Sequence, residues 1–121
     1  MILITGGKYQ GKLEFAKKCA SSARVRDMKD FLEEAVSGKV IVNKFNDWFR
    51  SEPETASEKA LEIFLKGSDV ILITEEVGSG VVPMSEDDRK YRERLGRTVN
   101  VLAERSDAVY RVFAGIPEKL K

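Results

Sequence analysis

A short apolar segment followed by a glycine-rich loop constrains the fold of this chain more than any other feature. Ile2–Thr5 has the composition of a buried strand, and residues 6–13 read GGKYQGKL ahead of a helical pattern. Strand, GxxxxGK loop and helix in this order are typical of a P-loop, whose glycines let backbone N–H groups surround phosphate oxygens. The helix N-terminus adds a partial positive charge at the same point. The segment therefore predicts an α/β domain with a phosphate site after its first strand.

The predicted nucleotide-binding residues are those of the loop itself. They are Gly6, Gly7, Lys8, Tyr9, Gln10, Gly11, Lys12 and Leu13. Lys12 is placed to reach the terminal phosphates, whereas Lys8 and Tyr9 either contact phosphate or only fill the loop. Leu13 stands where the motif has a Ser or Thr that holds Mg²⁺, and leucine has no oxygen to offer a metal. The loop is thus a degenerate Walker A motif that keeps the groups for holding phosphate and lacks one that serves its transfer.

Composition restricts the class of protein. A length of 121 residues, 42% of them hydrophobic, predicts one domain over 1–121 with a sheet and packed helices. The 21 basic and 20 acidic residues nearly cancel, which argues against a nucleic-acid binder. No apolar run approaches a membrane span and no signal-peptide pattern opens the chain, so we expect no membrane partner and a cytoplasmic location. A single cysteine, Cys19, and the lack of histidine exclude a Cys-rich metal site and histidine catalysis.

Apolar runs and helical patterns alternate along the chain. Continuous apolar runs predict further strands at 40–42, 70–74 and 108–113, the last of these being the final strand. Apolar spacing predicts helices over 11–23, 27–36, 55–66 and 85–106. Ser85 with Asp88 three residues later resembles a capping box that opens the last helix. The alternation predicts a three-layer sandwich like that of P-loop NTPases, with a mostly parallel central sheet covered on both faces.

Three separate segments are predicted to meet at one edge of this sheet. Ligands of parallel sheets bind at the carboxyl ends of the strands, where the P-loop, Asn43 and the pair Glu75 and Glu76 all fall. For Glu75 a solvated strand end is the simpler interpretation, and Asp47 is no obvious replacement for a metal ligand. The aromatic residues of 45–49 are expected to pack in the core or at an interface.

Several segments resemble one family. Residues 73–83, ITEEVGSGVVP, resemble the NEVGxGxVP segment of the adenosylcobinamide kinase / adenosylcobinamide-phosphate guanylyltransferase family. Residues 2–12 resemble its ILVTGGxRSGKS opening, and 42–48 its VDCLTLW strand end. Residues 91–103 look like its FRD…GR…LA helix, and 108–121 like its closing strand and tail.

The resemblance implies a function in cobalamin assembly and salvage. Members of the family phosphorylate a hydroxyl of the corrinoid with a nucleoside triphosphate and then transfer GMP through a guanylylated histidine. It implies a P-loop α/β fold, ATP or GTP as nucleotide, a corrinoid partner and a trimeric homo-oligomer. Lys12 and Glu76, which match the family's motif, are the predicted catalytic residues. The substrate loop implied by the resemblance comprises Val77, Gly78, Gly80 and Pro83.

The departures from the family pattern bear on catalysis. Leu13 and Asn43 replace the Ser and the Asp associated with the metal, so no metal ligand is assigned and the departures argue against Mg²⁺. The region of the nucleophilic histidine is reduced to residues 21–39, and the chain has no histidine. The guanylyltransferase step by the family mechanism is therefore excluded.

Three functions follow from these residues. The leading prediction is a nucleotide- or phosphate-binding protein related to the family, with reduced or no catalysis. The second is an active ATP- or GTP-dependent adenosylcobinamide kinase that lacks the guanylyltransferase step and uses Glu76 and phosphate oxygens to hold the metal. The third is a non-catalytic structural or interaction protein whose sheet edge is no longer a site.

Overall fold

A six-stranded sheet organises the described part of the chain. The computed structural model describes residues 1–34, 37–52, 55–65, 69–76 and 85–121. The strands are β1 (Ile2–Thr5), β2 (Arg24–Asp27), β3 (Lys39–Asn43), β4 (Asp69–Ile73), β5 (Ala108–Phe113) and β6 (Ile116–Lys119). Their order in the sheet is β2-β3-β4-β1-β5-β6. All neighbouring pairs are parallel except β5 and β6, which confirms the predicted α/β class with a mostly parallel sheet.

Helices cover both faces of the sheet. They are α1 (Lys12–Cys19), α2 (Met28–Glu33), α3 (Phe45–Ser51), α4 (Ala56–Leu61) and α5 (Glu86–Arg105), and a 3₁₀ turn, Glu62–Leu65, follows α4. On one face, apolar side chains of α2 to α5 form a core with alternate residues of the strands, such as Leu3 and Leu72. On the other face, α1 packs through Ala16 against Ile4 and Ile41. The P-loop therefore begins a helix that stands alone on its face of the described structure.

Helix α1 is shorter than the predicted helix over 11–23, and the edge strand β2 that follows it was not predicted. Helix α1 ends at Cys19, and Arg24–Asp27 pairs in parallel with β3. Three of the four β2 residues are charged, and the strand has only one neighbour, so its exposed face tolerates polar side chains without an apolar run. Asp27 then accepts a hydrogen bond from Asp30 N at 2.8 Å and caps α2.

The antiparallel strand β6 corrects the prediction that β5 is the last strand. Ala114 and Gly115 both have positive φ, 50° and 76°, and form the two-residue turn of a β-hairpin. The four residues of β6 are exposed and include a proline, so the sequence carries no apolar signal for a strand.

The last helix was predicted closely. Ser85 is its N-cap and accepts a hydrogen bond from Asp88 N at 3.0 Å, and the helix runs to Arg105. The helix predicted over 55–66 is shorter, because regular α-helix ends at Leu61 and tightens into the 3₁₀ turn. Within the described ranges, none of the helices combines the length and the hydrophobicity that a membrane crossing requires.

Candidate functional site

The P-loop connects β1 to α1, and two of its positions pack so closely against other backbone that they require glycine. Gly6 has φ 154°, and a Cβ there would lie 2.5 Å from the carbonyl oxygen of Val112. Gly11, the N-cap of α1, has φ 94°, and a Cβ there would lie 3.3 Å from Cα of Gly115. A side chain at either position would collide with or crowd the β5–β6 hairpin, which explains the two glycines in the motif.

Lys12 lies at the floor of the loop. Its side chain is 9% exposed, and Nζ donates to the carbonyl oxygens of Gly6 at 3.1 Å and Gly7 at 2.6 Å. Burial lowers the pKa of this ammonium group, and the charges of Glu75 and Glu76 oppose that effect. The lysine is therefore a partly desolvated cation held by its own loop, with carboxylates nearby.

A cleft of about 500 Å³ opens above Lys12 at the carboxyl edge of the sheet. Its lining residues are Lys8, Tyr9, Gln10, Gly11, Lys12, Leu13, Glu14, Asn43, Asp47, Ile73 and Glu75. The loop after β1, the end of β3 and the end of β4 thus meet at one place, as the predicted topology required. A recess of about 60 Å³ shares Lys12, Asn43, Asp47, Ile73 and Glu75 with this cleft.

The two glutamates after β4 have different surroundings. Glu75 lines the cleft with Lys12. Glu76 instead pairs with Arg111 of β5 through two contacts, Nε to Oε1 at 2.8 Å and Nη2 to Oε2 at 3.3 Å. Its backbone N–H donates to the carbonyl of Gly6 at 3.0 Å. Glu76 thus ties the loop after β4 to the P-loop and to β5, whereas Glu75 lines the cleft beside Lys12.

Asn46 is a site residue that the sequence reasoning did not identify. It is 7% exposed, and its Oδ1 accepts hydrogen bonds from Thr74 Oγ1 at 2.8 Å and Glu75 N at 2.7 Å. Its Nδ2 donates to the carbonyl of Glu75 at 3.2 Å. Asn46 therefore fixes the backbone that carries Glu75 into the cleft. The available signal was an asparagine between the core residues Phe45 and Phe49, since a polar side chain in an apolar stretch must find buried partners.

The residues at the two P-loop metal positions do not fit Mg²⁺. Leu13 packs against the apolar cluster that contains Ile4 and Ile41. Asn43 is neutral, and its Oδ1 accepts the N–H of Lys44 at 2.9 Å. The described residues contain no group of three or more His, Cys, Asp and Glu side chains arranged for a metal. The described residues therefore offer no set of charged ligands for a magnesium-assisted step.

Aromatic residues near the cleft fall into two groups. Tyr9, at φ 58° on the loop tip, is fully exposed and does not fill the loop. Phe45 and Phe49 are fully buried, and Trp48 is partly buried against the same core, which confirms the predicted packing role. Val77, Gly78, Gly80 and Pro83, the predicted substrate loop, lie outside the described residues.

A larger groove of about 720 Å³ lies between α3 and the start of α5. Its cations already have partners, because Arg50 pairs with Asp88 at 3.3 Å and lies 4.3 Å from the ring centroid of Tyr91. Arg94, which also lines it, lies 5.9 Å from the ring centroid of Phe49. The P-loop cleft is the better candidate site, since it combines a lysine with backbone N–H groups at a helix start.

A mostly parallel sheet with a lysine-bearing glycine loop at its carboxyl edge defines an α/β protein of the P-loop NTPase type. The family model described as "Cobinamide kinase / cobinamide phosphate guanyltransferase" matches residues 37–120. The chain belongs to this family. The P-loop precedes the matched segment, so its assignment depends on its own residues and geometry.

Curated relatives match parts of the chain. The bifunctional adenosylcobalamin biosynthesis protein CobU of Salmonella typhimurium is 32% identical over 84 residues, 65% of this chain and 46% of that protein. The corresponding CobP of Pseudomonas aeruginosa is 40% identical over 52 residues, 43% of this chain and 30% of that protein. CobU of Escherichia coli is 42% identical over 52 residues, 43% of this chain and 29% of that protein. The chain thus matches less than half the length of each of these relatives.

Proposed function

We propose that this protein binds the phosphates of a nucleotide, ATP or GTP, in the P-loop cleft and has reduced or no catalytic activity. The observation that carries the proposal is the ammonium group of Lys12 at the floor of an open cleft, beside the loop backbone and the start of α1. Phosphate oxygens are strong acceptors for such a cation and for loop N–H groups. An entering phosphate would replace the carbonyls of Gly6 and Gly7 as partners of Lys12.

Reduced catalysis follows from what surrounds that lysine. Phosphoryl transfer depends on metal-assisted charge neutralisation and accurate positioning. Leu13 and Asn43 supply no charged ligand, and Glu76 is engaged by Arg111. The cleft therefore suits binding of phosphate better than its transfer. Lys12 and Glu76 as catalytic residues remain a prediction.

The biological setting is proposed from the family. The Salmonella relative is named as an adenosylcobalamin biosynthesis protein, so we place this chain in cobalamin biosynthesis with a corrinoid as its second partner. A homo-oligomer, a cytoplasmic location and contact of a corrinoid with residues 77–83 are part of the same proposal.

Isothermal titration calorimetry with ATP and with GTP, each with and without Mg²⁺, tests the proposal. We expect binding by the wild type, and a loss of about tenfold or more for Lys12→Ala, since hydrogen bonds to charged groups contribute about 1.5–3 kcal/mol. Lys18→Ala, an exposed residue of the same helix, is the matched control and should bind normally. No binding by the wild type, or equal binding by Lys12→Ala, would contradict the proposal.

A second candidate function is cobinamide phosphorylation, favoured by the carboxylates of Glu75 and Asp47 in the cleft with Lys12. Mass spectrometry of cobinamide incubated with ATP or GTP at high protein concentration separates the two functions. Formation of phosphorylated cobinamide by the wild type but not by Lys12→Ala supports the kinase. Nucleotide binding without this product supports the leading proposal.

A further inference from the structure

The turn of the β5–β6 hairpin holds the tip of the P-loop through two hydrogen bonds to one residue. The backbone N–H of Ala114 donates to Oε1 of Gln10 at 2.6 Å. The backbone N–H of Gly115 donates to the carbonyl oxygen of Gln10 at 2.8 Å. The side chain and the main chain of one loop residue are therefore both bound by consecutive N–H groups of the turn.

The turn has the geometry to offer these two donors. Phe113 and Ile116 face each other as the last pair of the hairpin, so the two residues between them are outside the strand pairing. Ala114 and Gly115 both have positive φ, and successive N–H groups in such a turn form a concave donor pair. That donor pair donates to the two oxygens of Gln10.

The same hairpin contacts the site at other points. Val112 of β5 presents its carbonyl to Gly6 so closely that a Cβ would not fit, and Gly115 lies against Gly11. Arg111 of β5 pairs with Glu76. The beginning, the tip and the end of the P-loop, and the loop after β4, are thus all braced by residues 111–115.

A P-loop binds anions well only when its N–H groups are already directed inward, because ordering the loop at the time of binding costs free energy. Gln10 occupies the tip, between Tyr9 and the N-cap Gly11, where the chain is otherwise exposed. We propose that Gln10 is a positioning residue, and that its two hydrogen bonds to the 114–115 turn clamp the P-loop in its phosphate-binding shape. This inference rests on the proposed phosphate binding and names the device that supports it.

The clamp has a consequence that a purely structural contact lacks. If clamping favours phosphate binding, phosphate binding must favour clamping by the same factor, because coupling between two equilibria is reciprocal. Pyrophosphate should therefore protect the amide protons of Ala114 and Gly115 from exchange, although neither residue lines the cleft.

The test replaces Gln10 by methionine, which keeps the length of the side chain and removes its acceptor. We expect Gln10→Met to bind inorganic pyrophosphate about three- to tenfold more weakly than the wild type, the effect of losing one hydrogen bond. Its melting temperature should stay close to that of the wild type, because the side chain is at the surface. In the wild type, hydrogen exchange by NMR should slow at Ala114 on adding pyrophosphate, and in Gln10→Met this protection should be lost.

Lys119→Met is the matched control, because it makes a similar change on the exposed strand of the same hairpin. It should retain wild-type affinity and protection. Equal affinity of wild type and Gln10→Met, or protection of Ala114 that persists in the variant, would overturn the clamp while leaving phosphate binding intact. Failure of the wild type to bind pyrophosphate would overturn both the clamp and the proposed function.

Discussion

Phosphate binding requires Lys12 to be charged, whereas the buried position of its ammonium group disfavours that charge. Its Nζ is held by the carbonyls of Gly6 and Gly7 at 3.1 and 2.6 Å, in a position where burial disfavours its charge. Glu75 and Glu76 partly restore the preference for the charged form. A phosphate would do so more strongly, since it brings opposite charge into contact with the ammonium group.

This balance predicts a pH dependence of binding. Because burial lowers the pKa of Lys12, the lysine loses its proton at a pH below the range in which an exposed lysine titrates, and affinity for ATP should fall as pH rises through that lowered pKa. Above about pH 8 the phosphates of ATP are fully ionised, since a terminal phosphate has a second pKa near 6. Lys12→Arg keeps its charge in this range and should show a flat profile.

Calorimetry between pH 8 and the onset of unfolding provides the measurement, with the melting temperature recorded at each pH. Parallel profiles for the wild type and Lys12→Arg would show that titration of Lys12 does not cause the pH dependence of affinity. The pH dependence of stability has the opposite sign to that of binding. The unfolded chain binds the Lys12 proton more tightly than the folded chain does. The contribution of Lys12 to the free energy of unfolding therefore rises with pH between its lowered pKa in the folded chain and its ordinary pKa in the unfolded chain.

Single residues were the least predictable part of the site. The spacing of glycines and Lys12 identified the loop, because the curved backbone requires glycine and phosphate binding requires a cation. The choice between Glu75 and Glu76 was not predictable, since it depends on Arg111, which lies 35 residues later in the chain. The role of Gln10 depends likewise on a hairpin turn 104 residues later.

At the scale of elements, the junction between α3 and β4 determines where Glu75 lies. The side chain of Asn46, in the first turn of α3, forms hydrogen bonds with the Thr74 hydroxyl and with both backbone groups of Glu75. The hydroxyl of Tyr91 in α5 donates to the backbone carbonyl of Asn46 at 3.3 Å. A short helix of seven residues is thus fixed to the sheet by a buried polar network and by Phe45 and Phe49.

The prediction for this junction concerns stability. Asn46→Leu keeps the branched side-chain skeleton, with methyl groups in place of the amide oxygen and nitrogen, but leaves the Thr74 hydroxyl and the two Glu75 backbone groups without their partner, so we expect a loss of about 2–4 kcal/mol in the free energy of unfolding. Urea denaturation measures it. Asn100→Leu, the same substitution at an exposed position of α5, should stay within about 0.5 kcal/mol. A loss below about 1 kcal/mol for Asn46→Leu would show that the network contributes little.

Whether a strand could be predicted from the sequence depends on whether it is buried inside the sheet or lies at its edge. The inner strands β1, β3, β4 and β5 were predicted, because strands covered on both faces need continuous apolar residues. The edge strands β2 and β6 were missed because their sequences, RVRD and IPEK, contain no apolar run. Their strand conformation depends on pairing with a single neighbouring strand and on the turns beside them. The predicted helix over 11–23 was too long, because α1 ends at Cys19 and β2 begins only at Arg24.

At the scale of the whole molecule, topology rather than any one motif creates the cleft. A mostly parallel sheet with order β2-β3-β4-β1-β5-β6 brings the carboxyl ends of β1, β3 and β4 together, and residues that follow or end these strands line one cleft of about 500 Å³. This meeting of segments was predictable from the alternation of elements. The chemistry of the cleft was only partly predictable, because the pairing of Glu76 with Arg111 and the hydrogen bonds of Asn46 depend on contacts between distant segments.

Phosphate binding by the P-loop can be measured by a ¹⁵N NMR titration with tripolyphosphate, since this ligand has neither a base nor a corrinoid. We predict the largest amide shifts in residues 7–12, with smaller ones at Glu75 and Glu76, and their loss in Lys12→Ala. Shifts confined to the groove between α3 and α5, or no shifts at millimolar ligand, would contradict phosphate binding by the P-loop.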